Sequence, residues 1–210
     1  MNYKNYLFDL DGTLTDPCAG ITNSILYAFK KFGLPPLPME ILKTFIGPPL
    51  LESFRIHCGV GREDAGLLLT YYREYFKEKG MFENEVYPEI PETLAALKKR
   101  GARLFIATSK PEPFAKEILN HFDLSKYFEF VGGNTLDEKR SKKEDVIRYV
   151  MEENALLPDE CIMIGDRCHD IEGARACGIP VAAVTFGYGN ENEYRMADHI
   201  INTPKELLQL

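Results

Sequence analysis

The chain has 210 residues, with 25 Lys plus Arg against 32 Asp plus Glu, a formal net charge of −7 and 45% hydrophobic residues. That is a globular composition, long enough to bury a sizeable core, and it excludes a disordered chain. The acidic balance argues against a nucleic acid polymer as partner and against docking on an anionic membrane, since both need a basic surface; a small anionic substrate would need a local site that overrides the global charge.

In chain order, Tyr3 to Leu10 is a short apolar and aromatic run ending in acids, which reads as a buried strand broken at Gly12. Acids at Asp9 and Asp11 stand where an apolar leader would be, and no stretch approaches the ~20 apolar residues of a membrane span, so the expectation is a cytoplasmic protein. From Ala19 to Phe32 apolar residues recur at helical spacing, and Pro35, Pro36 and Pro38 end that helix. Gly47-Pro48-Pro49 marks a turn, and Leu50 to Cys58 and Glu63 to Lys79 read as helices. The second of these carries Leu67, Leu68, Tyr71, Tyr72, Tyr75 and Phe76 as its apolar face. Residues 16–84 hold no strand pattern and form an all-helical block.

After Tyr87-Pro88 helices and strands alternate. Helices are expected over Pro91–Arg100, Pro113–Phe122, Ser141–Glu153 and His169–Cys177, with Ser141 and Glu144 at the spacing of a capping box. Strands are expected over Ala102–Ala107, Phe128–Val131, Cys161–Ile164, Val181–Val184 and His199–Ile201, followed by a terminal helix over Lys205–Leu210. Strands separated by helices pair in parallel, so the fold class is α/β: a Rossmann-like parallel sheet core, residues 1–15 and 85–210, with an all-helical domain, residues 16–84, inserted after the first strand. Asp16 and Asn84 to Tyr87 are the expected hinge strands. The five cysteines, Cys18, Cys58, Cys161, Cys168 and Cys177, form no C-x-x-C pair, and Cys168-His169 near Cys161 is only a fragment of a zinc site.

In an open α/β sheet, ligands bind beyond the carboxyl ends of the strands. Those ends here carry Asp9-Leu10-Asp11-Gly12-Thr13, Thr108-Ser109-Lys110 and Gly165-Asp166 with Asp170, and the helix after the third strand opens near Lys142-Lys143. Each has a bland reading: Asp11-Gly12 as a hairpin turn, Asp166 as a charge near a helix N-terminus, Thr108 as a cap, Lys143 as a solvated lysine. An EF-hand fails because glycine comes fourth and the twelfth residue is Gly20. The four segments gain weight from falling at successive strand ends.

These motifs resemble the haloacid-dehalogenase-like hydrolases, specifically phosphatases with a helical cap after the first motif. Asp9-Leu10-Asp11-Gly12-Thr13-Leu14 stands as the first motif, Thr108 as the second, Lys143 or Lys142 as the third, and Gly165-Asp166 with Asp170 as the fourth. Ile46-Gly47-Pro48-Pro49-Leu50 and Gly187-Tyr188-Gly189 resemble the phosphoglycolate-phosphatase-like branch. The resemblance implies a phosphatase acting on a small phosphorylated metabolite with Mg²⁺ as cofactor. Asp9 would be the nucleophile that forms an aspartyl-phosphate, and Asp11 the general acid and base. Thr108 and the backbone of Ser109 would hold a phosphoryl oxygen, Lys143, preferred to Lys142, would fix Asp9, and Gly12 and Thr13 would bring backbone N–H groups to the phosphate. Asp9, Asp166, Asp170 and the carbonyl of Asp11 would serve the metal. Arg55, His57 and the Gly47-Pro48-Pro49 loop are candidate specificity contacts. Rival readings are a β-phosphoglucomutase-like phosphomutase, a 5′-nucleotidase or pyrophosphatase, and, more remotely, a phospho-accepting receiver domain.

Overall fold

The computed structural model describes residues 3–210; residues 1 and 2 of the expected core segment lie outside the described residues. In chain order the elements are β1 (Asn5–Phe8), β2 (Thr15–Asp16), α1 (Cys18–Phe32), α2 (Met39–Lys43), α3 (Leu50–Cys58), α4 (Arg62–Tyr75), β3 (Glu85–Val86), α5 (Ile90–Lys99), β4 (Arg103–Pro111), α6 (Glu112–His121), β5 (Phe130–Asn134), α7 (Lys143–Glu153), β6 (Cys161–Gly165), α8 (Cys168–Ala176), β7 (Val181–Val184), α9 (Glu191–Tyr194) and β8 (His199–Ile201). They fall into two compact units: residues up to Asp16 together with Val86–Leu210, and Pro17–Glu85.

The first unit is built on a six-stranded sheet of order β5-β4-β1-β6-β7-β8, parallel at every pairing. Its strands are near-continuous apolar runs because both faces are covered. On one face Leu7, Phe105, Met163, Val181 and Ala183 pack with Val146, Ile147 and Val150 of α7 and Ile171 and Ala174 of α8. Period-two alternation turns Tyr6 and Phe8 to the other face, where Phe8 meets Phe128 at 6.0 Å between ring centroids. The chain builds leftward from β1 to β4 and β5, then crosses to β6, β7 and β8 on the other side. The strand order therefore reverses around β1, the position at which α/β sheets open a crevice at their carboxyl edge.

The second unit is helical, with α1 against α4 and α3 against α4. Its core is aromatic: Phe54 packs on Phe45 at 5.5 Å and on Phe29 at 6.3 Å, and Tyr72 stacks on Phe76 at 5.3 Å. α4 buries Ala65, Leu68, Leu69 and Tyr72, while Leu67 is exposed. The expected apolar face was thus turned by about a residue, because three consecutive leucines let the stripe be drawn two ways. The helical pattern to Lys79 ends in a π-helical turn, Phe76–Gly80.

Other boundaries also moved. β4 runs on to Pro111 with a register shift between Thr108 and Pro111, and β5 starts at Phe130. The capping box expected at Ser141 and Glu144 is absent: α7 begins at Lys143, with Lys142 as its N-cap and no side-chain cap. The terminal helix is of the 3₁₀ type, Pro204–Gln209. No helix among the described residues is long and apolar enough to cross a membrane.

Candidate active site

Three neighbouring strands, β4, β1 and β6, end on one edge of the sheet. Asp9 follows β1 directly, and its N–H continues the ladder onto the Ile164 carbonyl at 2.9 Å. Beyond it the chain curls into a tight loop: the N–H groups of Leu14 and Thr15 both donate to the Leu10 carbonyl, at 2.9 and 3.1 Å. That loop turns Asp9 and Asp11 inward, and both are buried. Gly12 sits at φ +80°, and a Cβ there would lie 2.3 Å from Oδ2 of Asp166, so the loop closes only around glycine. The amides expected to approach a phosphate are engaged inside the loop, Gly12 N–H on the Thr15 carbonyl at 2.8 Å and Thr13 N–H on the Leu10 carbonyl at 3.3 Å. Crowding against Asp166 requires a glycine at position 12. Thr13 is buried, and its hydroxyl has no hydrogen-bond partner among the described residues.

Lys143 enters from the first residue of α7, which the packing of Val146, Ile147 and Val150 holds against the sheet. Its ammonium donates to the Ala107 carbonyl at 3.1 Å and forms ion pairs with Oδ2 of Asp9 at 2.8 Å and Oδ1 of Asp170 at 2.7 Å. Both ion pairs are buried, so the ammonium faces a carboxylate on two sides. Lys142, by contrast, is 74% exposed at its side chain and faces Glu144 at 3.8 Å. Burial alone would lower the Lys143 pKa, but Asp170 and Asp9 more than reverse this and leave it raised.

Asp166 and Asp170 follow β6. Asp170 Oδ2 accepts the N–H groups of Asp166 and Arg167, both at 3.1 Å, and so fixes the turn between β6 and α8. Asp166 Oδ2 accepts the Tyr188 N–H at 2.7 Å. Gly187 comes so close that a Cβ there would lie 2.4 Å from the Asp166 Cβ, which gives the Gly187-Tyr188-Gly189 segment its place. Burial and the adjacent Asp170 push Asp166 well above the usual carboxylate range. Burial, with Asp9 adding to it against the pull of Lys143, raises Asp170 to about 6.

Thr108 and Lys110 lie two apart on β4; both are buried, and Ser109 between them is half-buried. The Thr108 hydroxyl oxygen accepts the Lys110 N–H at 3.2 Å. The Lys110 ammonium lies 2.7 Å from Asp11 Oδ2. Burial raises the Asp11 pKa, and Lys110 offsets part of that rise. Lys110 stands at the strand end that the sequence marks, and the structure adds its pairing with Asp11. The available signal was its spacing from Thr108, since residues i and i+2 of a strand share a face.

Asp9, Asp166 and Asp170 bring carboxylate oxygens within 4.8 Å of one another. The Asp11 side chain stands outside that triple, paired with Lys110. When fully ionised, the four carboxylates exceed the ammonium groups of Lys110 and Lys143 by two charges. Oδ1 of Asp166, buried, has no hydrogen-bond partner among the described residues. An all-oxygen donor set with that residual charge fits a hard divalent cation. In the helical unit, Arg55 pairs with Glu52 at 2.8 Å on an exposed face, and His57 Nε2 lies 3.1 Å from the Thr44 hydroxyl with its ring on Phe45.

The family model for haloacid dehalogenase-like hydrolases matches residues 6–184. The chain belongs to this family. A 5′-nucleotidase of Pseudomonas aeruginosa is 44% identical over 195 residues, covering 93% of this chain and 88% of its own. A phosphoglycolate phosphatase of Aquifex aeolicus is 32% identical, covering 97% and 94%. The tyrosine-protein kinase PtkA of Mycobacterium tuberculosis is 39% identical over 87% of this chain, which spans only 62% of the kinase. Among solved structures, a predicted phosphatase from Clostridium acetobutylicum superposes with a TM-score of 0.95 at 45% identity over the full length of both chains. This family member is an α/β hydrolase of the phosphatase type, and its buried aspartate cluster can hold a metal.

Proposed function

We propose that the protein hydrolyses a small-molecule phosphate monoester in two steps, with the phosphoryl group carried between them on Asp9 and with Mg²⁺ as cofactor. The observation that carries this reading is the tip of β1: two buried carboxylates, two residues apart, are held by different lysines, Asp9 by Lys143 at 2.8 Å and Asp11 by Lys110 at 2.7 Å. Two like groups in unlike settings are what a nucleophile and a separate acid require.

Asp9 and Asp166 would hold the metal with the main-chain carbonyl of Asp11, and Asp170 would keep Asp166 and Lys143 in place. Bound Mg²⁺ supplies positive charge where one anion must approach another. In the first step a carboxylate oxygen of Asp9 attacks phosphorus as the ester P–O bond breaks, and Asp11 gives its proton to the departing alkoxide. In the second step Asp11 takes a proton from water as that water attacks phosphorus, which releases inorganic phosphate and restores Asp9. The Thr108 hydroxyl and the Ser109 backbone N–H would bind phosphoryl oxygens, whose charge must be neutralised for the reaction to proceed. The helical unit, residues 17–85, would serve as a cap domain, with Arg55, His57 and the Gly47-Pro48-Pro49 loop as its candidate specificity contacts.

Within this class, phosphoglycolate and a nucleoside 5′-monophosphate are the substrates to compare, because relatives of both names match nearly the whole chain, the nucleotidase at higher identity. The test is inorganic phosphate release from a panel of phosphorylated metabolites with Mg²⁺, with and without EDTA. Release from at least one ester, silenced by EDTA and by Asp9→Asn, is the expected result. Activity that survives complete chelation rejects the metal, and isomerisation of a hexose phosphate without phosphate release would make the protein a phosphomutase.

A further inference from the structure

We propose that Lys110 is a positioning residue for the leaving-group proton: it holds Asp11 by one carboxylate oxygen so that the other faces the departing alkoxide. The inference rests on Asp11 being the acid of the first step. Asp11 is buried and has two distinguishable oxygens. Oδ2 lies 2.7 Å from the Lys110 ammonium. Oδ1 is buried and has no hydrogen-bond partner among the described residues. An unsatisfied buried carboxylate oxygen is costly, and it persists where a bound ligand completes it. The two oxygens are therefore not interchangeable: one is anchored and the other is kept for the reaction.

The chain builds this anchor deliberately. Lys110 lies at the carboxyl end of β4, where the register against β5 shifts between Thr108 and Pro111. Gly133 of β5 admits the Lys110 carbonyl so closely that a Cβ there would lie 2.6 Å from it. The Lys110 N–H is fixed on the Thr108 hydroxyl at 3.2 Å. Its side chain, 5% exposed, is held away from solvent beside Asp11. A carboxyl group turned by a single torsion would present either oxygen; a buried ammonium on Oδ2 removes that freedom and brings Oδ1–H to the leaving oxygen. The proton passes from Oδ1 to the alkoxide as the P–O bond breaks, giving the neutral alcohol and the Asp11 carboxylate, which Lys110 continues to hold.

The experiment compares two esters with and without need of that proton. 2-Glycerol phosphate, an alkyl ester with no second charge, needs a protonated leaving group, whereas p-nitrophenyl phosphate releases a phenolate that departs without one. Values of kcat/KM report the steps up to departure of the alcohol, so the second-step role of Asp11 does not enter. Lys110→Met is expected to lower kcat/KM for 2-glycerol phosphate by about 100-fold or more and for p-nitrophenyl phosphate by less than about 5-fold. Asp11→Asn should show the same selectivity, and Lys110→Arg should keep both substrates within about 10-fold of the parent. Retained p-nitrophenyl phosphate turnover shows that Lys110→Met is folded; if it is not, Lys110→Arg decides. Equal losses on both esters in Lys110→Met, or an Arg variant as selective as the Met one, overturn the role of Lys110 while a selective Asp11→Asn leaves the acid in place. An unselective Asp11→Asn overturns the acid assignment and Lys110 with it.

Discussion

Adding Mg²⁺ should stabilise this protein strongly at neutral pH and weakly in mild acid. Asp9, Asp166 and Asp170 crowd their oxygens within 4.8 Å, and burial with Asp9 nearby raises Asp170 from 3.8 to about 6. A raised carboxylate means that the folded chain binds its proton more tightly than the unfolded chain does. Without metal, the stability this contributes is complete below about pH 4 and is lost as pH rises through about 6. Two pH units correspond to at most about 3 kcal/mol. A divalent cation replaces the proton as the neutralising charge: at a hundredfold excess over Kd it returns about 2.7 kcal/mol. For a chain of this size each kcal/mol moves Tm by roughly 2–4 °C, so Mg²⁺ should raise Tm by roughly 5–10 °C at pH 7.5. At pH 5, where a proton on Asp170 weakens the metal about tenfold, the stabilisation falls to about 1.4 kcal/mol and the rise to roughly 3–5 °C. Thermal melts followed by circular dichroism, with Mg²⁺ and with EDTA at both pH values, measure this. An equal rise at both pH values, or an undiminished rise in Asp166→Asn, would refute the coupling between cluster, proton and metal.

Four substitutions test other parts of the site. Asp9→Asn should abolish turnover, by at least about 1,000-fold, while far-ultraviolet circular dichroism stays that of the parent; ordinary turnover in a folded variant would remove Asp9 as nucleophile. Lys143→Met should cost about 3–5 kcal/mol in urea unfolding, because Asp9 and Asp170 lose a buried partner, whereas Lys142→Met should stay within about 0.5 kcal/mol; similar costs for the two would contradict the pairing. Gly12→Ala drives a methyl group toward Asp166 Oδ2 and should lower both Tm and Mg²⁺ affinity, measured by titration calorimetry. Parent-like affinity in that variant would show that the loop gives way more easily than its crowding implies.

The parallel sheet could be read from the sequence because its strands are short apolar runs between helices, and the site followed because acids and hydroxyls stand at the ends of those runs. Lys143 could be favoured over Lys142 only by its spacing to Val146 and Ile147; the structure supplies the reason, since those two residues pack on the sheet and turn Lys143 inward. Lys110 stands in the sequence at the end of the expected strand Ala102–Ala107 but has no role there, because only the extension of that strand to Pro111 buries it. The amides of Gly12 and Thr13 could not be assigned from sequence, because their partners depend on how the loop closes. Leu67 was misplaced for a different reason: Leu67, Leu68 and Leu69 satisfy helical periodicity in more than one rotation, and tertiary packing chooses.

The position of β1 also shapes how the chain folds. Asn5 pairs with Arg103 on one side and with Cys161 on the other, so the strand that leads into the two central aspartates finds both its sheet partners far along the chain. Contacts between distant parts of a chain form slowly, because a long loop must close before any pairing repays it. On the ribosome, β1 is made before β4 and β6 and must wait until β6 has been synthesised before both its edges are covered. Through that interval an apolar strand lies open to mispairing, a hazard for a nascent chain. The acids that follow β1 place charge beside that open strand, and charge at a strand edge discourages association.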